Sequence, residues 1–397
     1  MTPAIPIHGT CEPRFEGVRA AFARGFESGE EIGASACFVH DGRVVVDFWG
    51  GHMDKERTRP WQRDTLVNTY STTKGMAALC THMCIERGLL ELDAPVARYW
   101  PEFAAKGKER IPVRWLLSHQ AGLAAPRRKI SLEELFAWDP FVQALAEQEP
   151  WWEPGTRHGY HALTFGHLVG ELVRRVSGKS LGRFFRENVA TPLGADYHIG
   201  FGPELDARTS DLYGELLPPK TDGATGAALE GPLAAFFRDM RDPSTLTGSA
   251  FGNPSVGTGV VNTRAWRAAE LPAVNGHGTA SALARIYGVL ARGGTQDGVH
   301  LLKPASIDRA IEQQAFGPDA VLGGLPMRFG LGFMLRQDFM PISPNPRAFG
   351  HPGAGGSIGM ADPDAKVGFG YTMNKMQTGM MGAAGAFAMI QAFFKAL

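Results

Sequence analysis

The sequence predicts an α/β chain of the α+β type: an antiparallel sheet built from both termini and flanked by helices, with a mostly helical subdomain inserted between them. Three observations lead there. Short Val- and Phe-rich runs near the start read as strands, further short runs near the end read as strands, and the long middle repeats its apolar residues at helical spacing. Strands at both ends with helices between them imply one sheet closed by the two ends of the chain. The expected division is 1–67 with 283–397 for the sheet subdomain and 68–282 for the helical insertion, with an active site in the cleft between them.

Taken in order, a helix is expected around 13–28. The runs "ASACFVH" and "RVVVDFWGG" then form a pair, joined through Asp41-Gly42, a strong hairpin signal. Helices follow at 72–87, 112–118 and 131–147. In "LTFGHLVGELVRRVSG", Phe165, Leu168, Val169, Leu172 and Val176 share one helical face, with Thr164 as N-cap and Gly178 as the C-terminal glycine. Further helices are expected at 180–189 and 280–291. The stretch 200–278 is rich in Gly, Pro, Thr and Ser and offers only a short helix near 231–240, as a loop-rich border of the site or a surface insertion would. "FGLGFMLRQ" (329–337), "GSIGMADP" (356–363) and "VGFGYTMN" (367–374) read as three strands, and "MMGAAGAFAMIQAFFKAL" as a closing helix.

Composition narrows the function. The 397 residues are 44% hydrophobic and 20% charged with a formal net charge of zero, so neither disorder nor a nucleic-acid partner is indicated. A small, roughly neutral substrate fits better. No run is long and apolar enough to span a bilayer, and "MTPAIPIHGTCEPRF" has no basic segment followed by an apolar one, so the expectation is a cytoplasmic protein without a membrane partner. Cys11, Cys37, Cys80 and Cys84 are too few and too irregular for a disulfide framework. Cys80, His82 and Cys84 suggest a metal, but on a helix the two cysteines share a face while His82 points away, and no second cluster completes a set. No metal and no organic cofactor is expected.

The chemistry concentrates in "NTYSTTKGMAALC". Ser71 and Lys74 lie three apart at the start of an apolar helical pattern, so their side chains share the face of its first turn. A serine hydroxyl becomes a nucleophile when a base takes its proton, and lysine serves when burial or neighbouring charge keeps its amine neutral. A helix N-terminus also offers N–H groups to a developing oxyanion. Of all the serines, only Ser71 has a lysine three residues on. An N-capping serine followed by an exposed lysine gives the same letters, so the motif needs companions. Tyr160, in "EPGTRHGYHALT", sits in a loop that feeds the helix beginning near Thr164 and would shuttle protons if a cationic neighbour lowered its pKa. In "FGHPGAGGS", His351 precedes glycines, Gly353 among them, that let backbone approach a substrate closely.

Ser71, Lys74, Tyr160 and His351 in that order, with "IPVRWLLSHQAGL" and "WWEPGTRHGY" between them, resemble the serine β-lactamase and penicillin-binding-protein superfamily. The resemblance runs from about residue 15 to the C-terminus and is greatest to a class C-like esterase branch, the family VIII carboxylesterases. It implies a β-lactamase-like fold in which "STTK" is the SxxK box, "YHA" stands for YxN and "HPG" for KTG. It further implies Ser71 as the acylated nucleophile, Lys74 and Tyr160 sharing the work of the base, an oxyanion hole from the backbone N–H groups of Ser71 and Ala354, and His351 and Gly353 beside the substrate. Two departures redirect the substrate. Ala162 lacks the amide of YxN, and His351 replaces a fixed cation suited to a β-lactam or peptide carboxylate. Short-chain carboxylic esters become the expected substrates, with β-lactams, D-amino-acid peptides or acyl transfer to an alcohol as alternatives on the same fold and a noncatalytic binding protein as the alternative from another class.

A competing serine lies in "GGSIG", which spells the GxSxG of a nucleophile elbow around Ser357. That elbow needs a following helix and a downstream histidine; here the last histidine is His351, and the chain continues into a hairpin. Ser357 is therefore expected in a strand beside the site. His119 reads as a capping or packing residue, His158 and His161 as neighbours of Tyr160, Trp151 and Trp152 as core or pocket wall, and "APRRKI" as a solvated loop.

Overall fold

A computed structural model of the chain describes residues 5–215, 231–377 and 384–397. Nine strands form one antiparallel sheet: β1 (Ile7–Cys11), β2 (Gly33–His40), β3 (Arg43–Gly51), β4 (Ala315–Pro318), β5 (Pro326–Phe329), β6 (Met334–Leu335), β7 (Phe349–Pro352), β8 (Ile358–Asp362) and β9 (Val367–Met373). Their spatial order is β1-β3-β2-β9-β8-β7-β6-β5-β4, so β2 and β9, from opposite ends of the chain, pair at its centre with Ala36 opposite Tyr371. Strand β2 is buried on both faces, which explains why it reads as an unbroken apolar run rather than an alternating one. Phe38 stacks at 4.2 Å on Phe393, while Cys37 and Val39 face the other way, toward Ala280 and Ala284.

Five helices carry most of the packing that matters here: α1 (Glu16–Glu27), α2 (Thr73–Glu86), α3 (Thr164–Ser177), α4 (Ala280–Ala291) and α5 (Ala384–Ala396). Helices α1 and α5 cover one face of the sheet, where Phe15 stacks on Phe393 at 4.4 Å. Helix α4 lies along β9 on the other face. Its close approach requires glycine: a Cβ on Gly370 would stand 2.1 Å from Ala280 O, and one on Gly368 2.3 Å from Gly288 N. Helices α2 and α3 pack together in the helical region, and α2 is buried around nearly its whole circumference. A small sheet of Val67–Asn68, Gly276–Gly278 and Tyr197–Ile199 ties the segment entering α2 to the segment before α4. Among the described residues no helix is long and apolar enough to cross a membrane.

Several sequence expectations change. The run 131–147 is two helices, Leu132–Phe136 and Asp139–Glu147, separated at Trp138, whose φ is +67°. Pro140 has no N–H to continue the first helix and starts the second instead. The run 329–337 is a hairpin rather than a strand, with Phe329 of β5 opposite Met334 of β6. Thr164 is the first residue of α3 rather than its cap, and its buried hydroxyl has no partner among the described residues. Strand β1 and the short helices Leu246–Gly252, Thr258–Val261 and Arg264–Ala268 were not expected. Residues 216–230 of the Gly/Pro-rich stretch, and the first four residues of the closing run, lie outside the described residues.

Candidate active site

Ser71 sits in a turn that leads into α2, directly after Tyr70, whose φ of +42° is left-handed for a bulky residue. Tyr70 O accepts hydrogen bonds from both the N–H and the hydroxyl of Thr73, and Thr69 N donates to Gly276 O at 2.8 Å. The small sheet and the first turn of α2 together hold that backbone against its own preference, as strained active-site residues require.

Lys74 lies one turn further and is wholly buried. Its Nζ is 3.1 Å from Ser71 Oγ, 2.7 Å from Ala162 O and 3.1 Å from Ala273 O. Burial, with no carboxylate to offset it, holds its pKa well below the usual lysine range. The three acceptors suit an ammonium, but they suit an amine better still. Two N–H groups stay on the carbonyls, and the lone pair turns to the Ser71 hydroxyl proton. The amide lost at Ala162 is thus replaced by that residue's own carbonyl, which was not legible as an acceptor in the sequence.

Tyr160 arrives from the irregular stretch before α3, and its phenol lies close enough to the Ser71 side chain to interact with it. The Lys74 amine sits 4.7 Å from the centre of its ring. Burial raises the phenol's pKa, opposite to the lowering that a tyrosinate base would need. Ser71, Lys74 and Tyr160 therefore meet in one cluster, with Tyr160 as its protonated member.

Ala354 belongs to a tight turn between β7 and β8, closed by Gly353 N–H to Ser357 O at 2.7 Å and Gly356 N–H to Gly353 O at 3.1 Å. Among the described residues, neither the Ser71 N–H nor the Ala354 N–H donates to an acceptor within the chain. Both residues line a cavity of about 420 Å³ walled by Leu163, Met240, Phe251, Val274 and Met376. Its lining among the described residues is mainly apolar, with Glu215 as its one charged side chain.

His351 and Gly353 stand behind that wall. His351 Nδ1 bonds Pro352 O at 2.7 Å, and burial pushes its pKa down to about 3, so the ring is neutral. Its ring centre is 5.9 Å from that of Tyr160. A Cβ on Gly353 would stand 2.1 Å from Thr69 O, so this glycine lets the β7–β8 turn touch the backbone ahead of Ser71.

Ser357 is buried just before β8, its hydroxyl donating to Thr69 O at 2.7 Å and lying 3.2 Å from Thr72 Oγ1. Strand rather than helix follows it. It braces the turn and shows none of the geometry of an elbow. The His161 ring accepts from Leu123 N–H and bonds Gly159 O, and its backbone N–H donates to His119 Nδ1. Trp151 and Trp152 donate to Ala125 O and Arg157 O. Arg127 in "APRRKI" bonds Glu149 O and Pro150 O. On α2, His82 Nε2 bonds Leu331 O, burial raises the Cys80 thiol well above its usual range and pushes that of Cys84 to about 12, and no cluster of three metal-ligating groups exists among the described residues.

Comparison with known proteins shows the family and the fold. A family model described as Beta-lactamase matches residues 18–393. The esterase/beta-lactamase LipL of Mycobacterium tuberculosis is 37% identical over 380 residues, covering 93% of this chain and 83% of that protein. A crystal structure of a family VIII carboxylesterase superposes with a TM-score of 0.88 at 42% identity, covering 99% of this chain and 100% of that one. A penicillin-binding-protein homologue from Caulobacter crescentus gives 0.85 at 38% identity, again covering 99% and 100%.

Proposed function

Because this chain belongs to the beta-lactamase family, and so to a group whose relatives are named as esterases and β-lactamases, we propose that it is a serine carboxylesterase that cleaves short-chain esters through an acyl-enzyme on Ser71. The observation that carries this reading is the placement of Lys74: buried, without a counter-ion, and held by two carbonyls with its third direction on Ser71 Oγ at 3.1 Å.

As Ser71 Oγ attacks the ester carbonyl carbon, its proton passes to Lys74 Nζ. The carbonyl oxygen gains a negative charge and takes the N–H groups of Ser71 and Ala354. Tyr160, protonated and beside Ser71, hands its proton to the leaving alkoxide and is reprotonated from Lys74. The C–O bond to the alcohol breaks and the acyl group stays on Ser71. Water then attacks the acyl carbon as its proton passes to the same pair; the bond from that carbon to Ser71 Oγ breaks, Ser71 takes back a proton from the pair, and the acid is released. No step calls for a metal or an organic cofactor. The mainly apolar cavity favours an uncharged ester, with β-lactam hydrolysis as a weak side activity.

The test is turnover of p-nitrophenyl acetate. Ser71→Ala should lower kcat by about 10⁴-fold or more, whereas Ser357→Ala should leave it within about threefold, since that hydroxyl only braces a turn. The opposite pattern refutes the assignment.

A further inference from the structure

Tyr160 lies outside every helix and strand, so something else must fix its backbone. Its amide N–H donates to Asp319 Oδ1 at 3.0 Å. Asp319, in the loop between β4 and β5, is buried completely, and the same Oδ1 takes the N–H groups of Val321 at 2.8 Å and Leu322 at 2.9 Å. Resting on the assignment of Tyr160 above, we propose that Asp319 is a positioning residue for the reaction: its carboxylate anchors the backbone of Tyr160 and thereby aims the phenol at Ser71.

The bonds to Val321 and Leu322 alone would be an ordinary turn cap. The third bond differs, because it crosses 159 residues of sequence to the amide of the phenol-bearing residue itself. A second bond runs beside it, from Ala320 N–H to His158 O at 3.1 Å. The two segments also touch: a Cβ on Gly159 would stand 3.2 Å from Ala320 Cβ and 3.2 Å from Val321 Cγ2. The other carboxylate oxygen faces His158 Nε2 at 3.8 Å. A buried carboxylate is tolerated when several N–H groups gather on it, as they do here on Oδ1, while Oδ2 and His158 Nε2 have no hydrogen-bond partner among the described residues. All the donors it gathers belong to this turn and to the Tyr160 segment.

The test compares Asp319→Asn and Asp319→Ala with Tyr160→Phe and Ser71→Ala in the full chain, reading kcat and KM on p-nitrophenyl acetate together with thermal melting. Asparagine keeps an oxygen for the three N–H groups and turns an N–H₂ toward His158 Nε2, so it should retain kcat within about fivefold. Alanine should lower kcat by about 10²-fold, the cost of an ångström-scale misplacement of a catalytic group, while KM stays within about threefold. If Asp319→Ala does not fold, Asp319→Ser takes its place, with the same fall in kcat expected. A folded Ala or Ser variant with unchanged kcat overturns the proposal, and so does an Asn variant that loses as much as Tyr160→Phe. An active Ser71→Ala variant would instead overturn the underlying enzyme assignment.

Discussion

A lysine taken out of water without a carboxylate must shed its proton or find acceptors for three N–H groups. Lys74 has the acceptors placed so that losing the proton sacrifices neither carbonyl bond. The depressed pKa has a measurable consequence for stability. An unfolded lysine titrates near roughly 10.4, whereas folded Lys74 does so well below that range. Between the two, the unfolded chain binds the extra proton, so Lys74 lowers stability at neutral pH and the deficit is recovered as pH rises. The stability gap between Lys74→Met and the wild-type protein, from urea titrations at pH 7 and pH 10, should therefore shift in favour of the wild type at pH 10; a gap that does not move means an ordinary lysine. Tyr160→Phe should lower kcat about 10²-fold or more and leave KM largely unchanged. Ser71, Lys74 and Tyr160 were visible in the sequence because their chemistry resides in side chains at readable spacings. The carbonyls of Ala162 and Ala273 were not, because every residue carries a carbonyl and only the fold says where it points. Asp319 was hidden for a related reason: its partner is a backbone amide far away in the chain.

Between residues and fold stand the elements, and their boundaries show which local signals were decisive. Helix α4 matches its expected span of 280–291 because Thr279 caps it and its apolar positions are dense. The helices at 246–252 and 264–268 were obscured by Gly, Pro and Ser content, although Thr245 and Thr263 cap them and supplied a signal. The β7–β8 turn is the element on which the proposed oxyanion binding rests. Gly353→Ala would press a methyl group onto Thr69 O, so we expect a loss of about 2–3 kcal/mol in denaturant stability together with a fall in kcat as the Ala354 N–H shifts. Equal stability and activity would show that the turn tolerates displacement. Glu31 makes a further element-level prediction. It accepts from the Tyr371 hydroxyl of β9 and, at 3.3 Å, from Gln377, and burial pushes its carboxyl up to about 8. The folded state therefore holds a proton that the unfolded chain releases near pH 4.5, and the stability this gives declines as pH rises toward 8. Glu31→Gln removes that decline, so melting temperatures of the variant and the wild type should diverge in the variant's favour from pH 5 to pH 8.5.

At the scale of the molecule, the sheet is closed by its own ends, with β2 hydrogen-bonded to β9 through Ser35 and Thr372, 337 residues apart. Strand runs at both termini made this closure legible in the sequence. The order of the outer strands was not, because β4 to β7 are short and their pairing is set by turns and packing rather than by apolar alternation. Helix α5 seals one face through Phe393, stacked on both Phe15 and Phe38. Phe393→Ala should lower stability by about 3–5 kcal/mol yet leave kcat of the folded protein unchanged, because Phe393 makes no contact with the Ser71, Lys74 or Tyr160 side chains among its ring contacts; a fall in kcat at full folding would show coupling between the two layers. The central claim is that one buried amine activates one serine in a cavity bounded by the β7–β8 turn. Brief exposure of the wild-type protein to an activated short-chain ester, acid quenching and mass spectrometry of its peptides tests this most directly. A single acyl group on the peptide that carries Ser71 is the expected result; the same group on the peptide that carries Ser357, or ester turnover with no acyl group on Ser71, would contradict it.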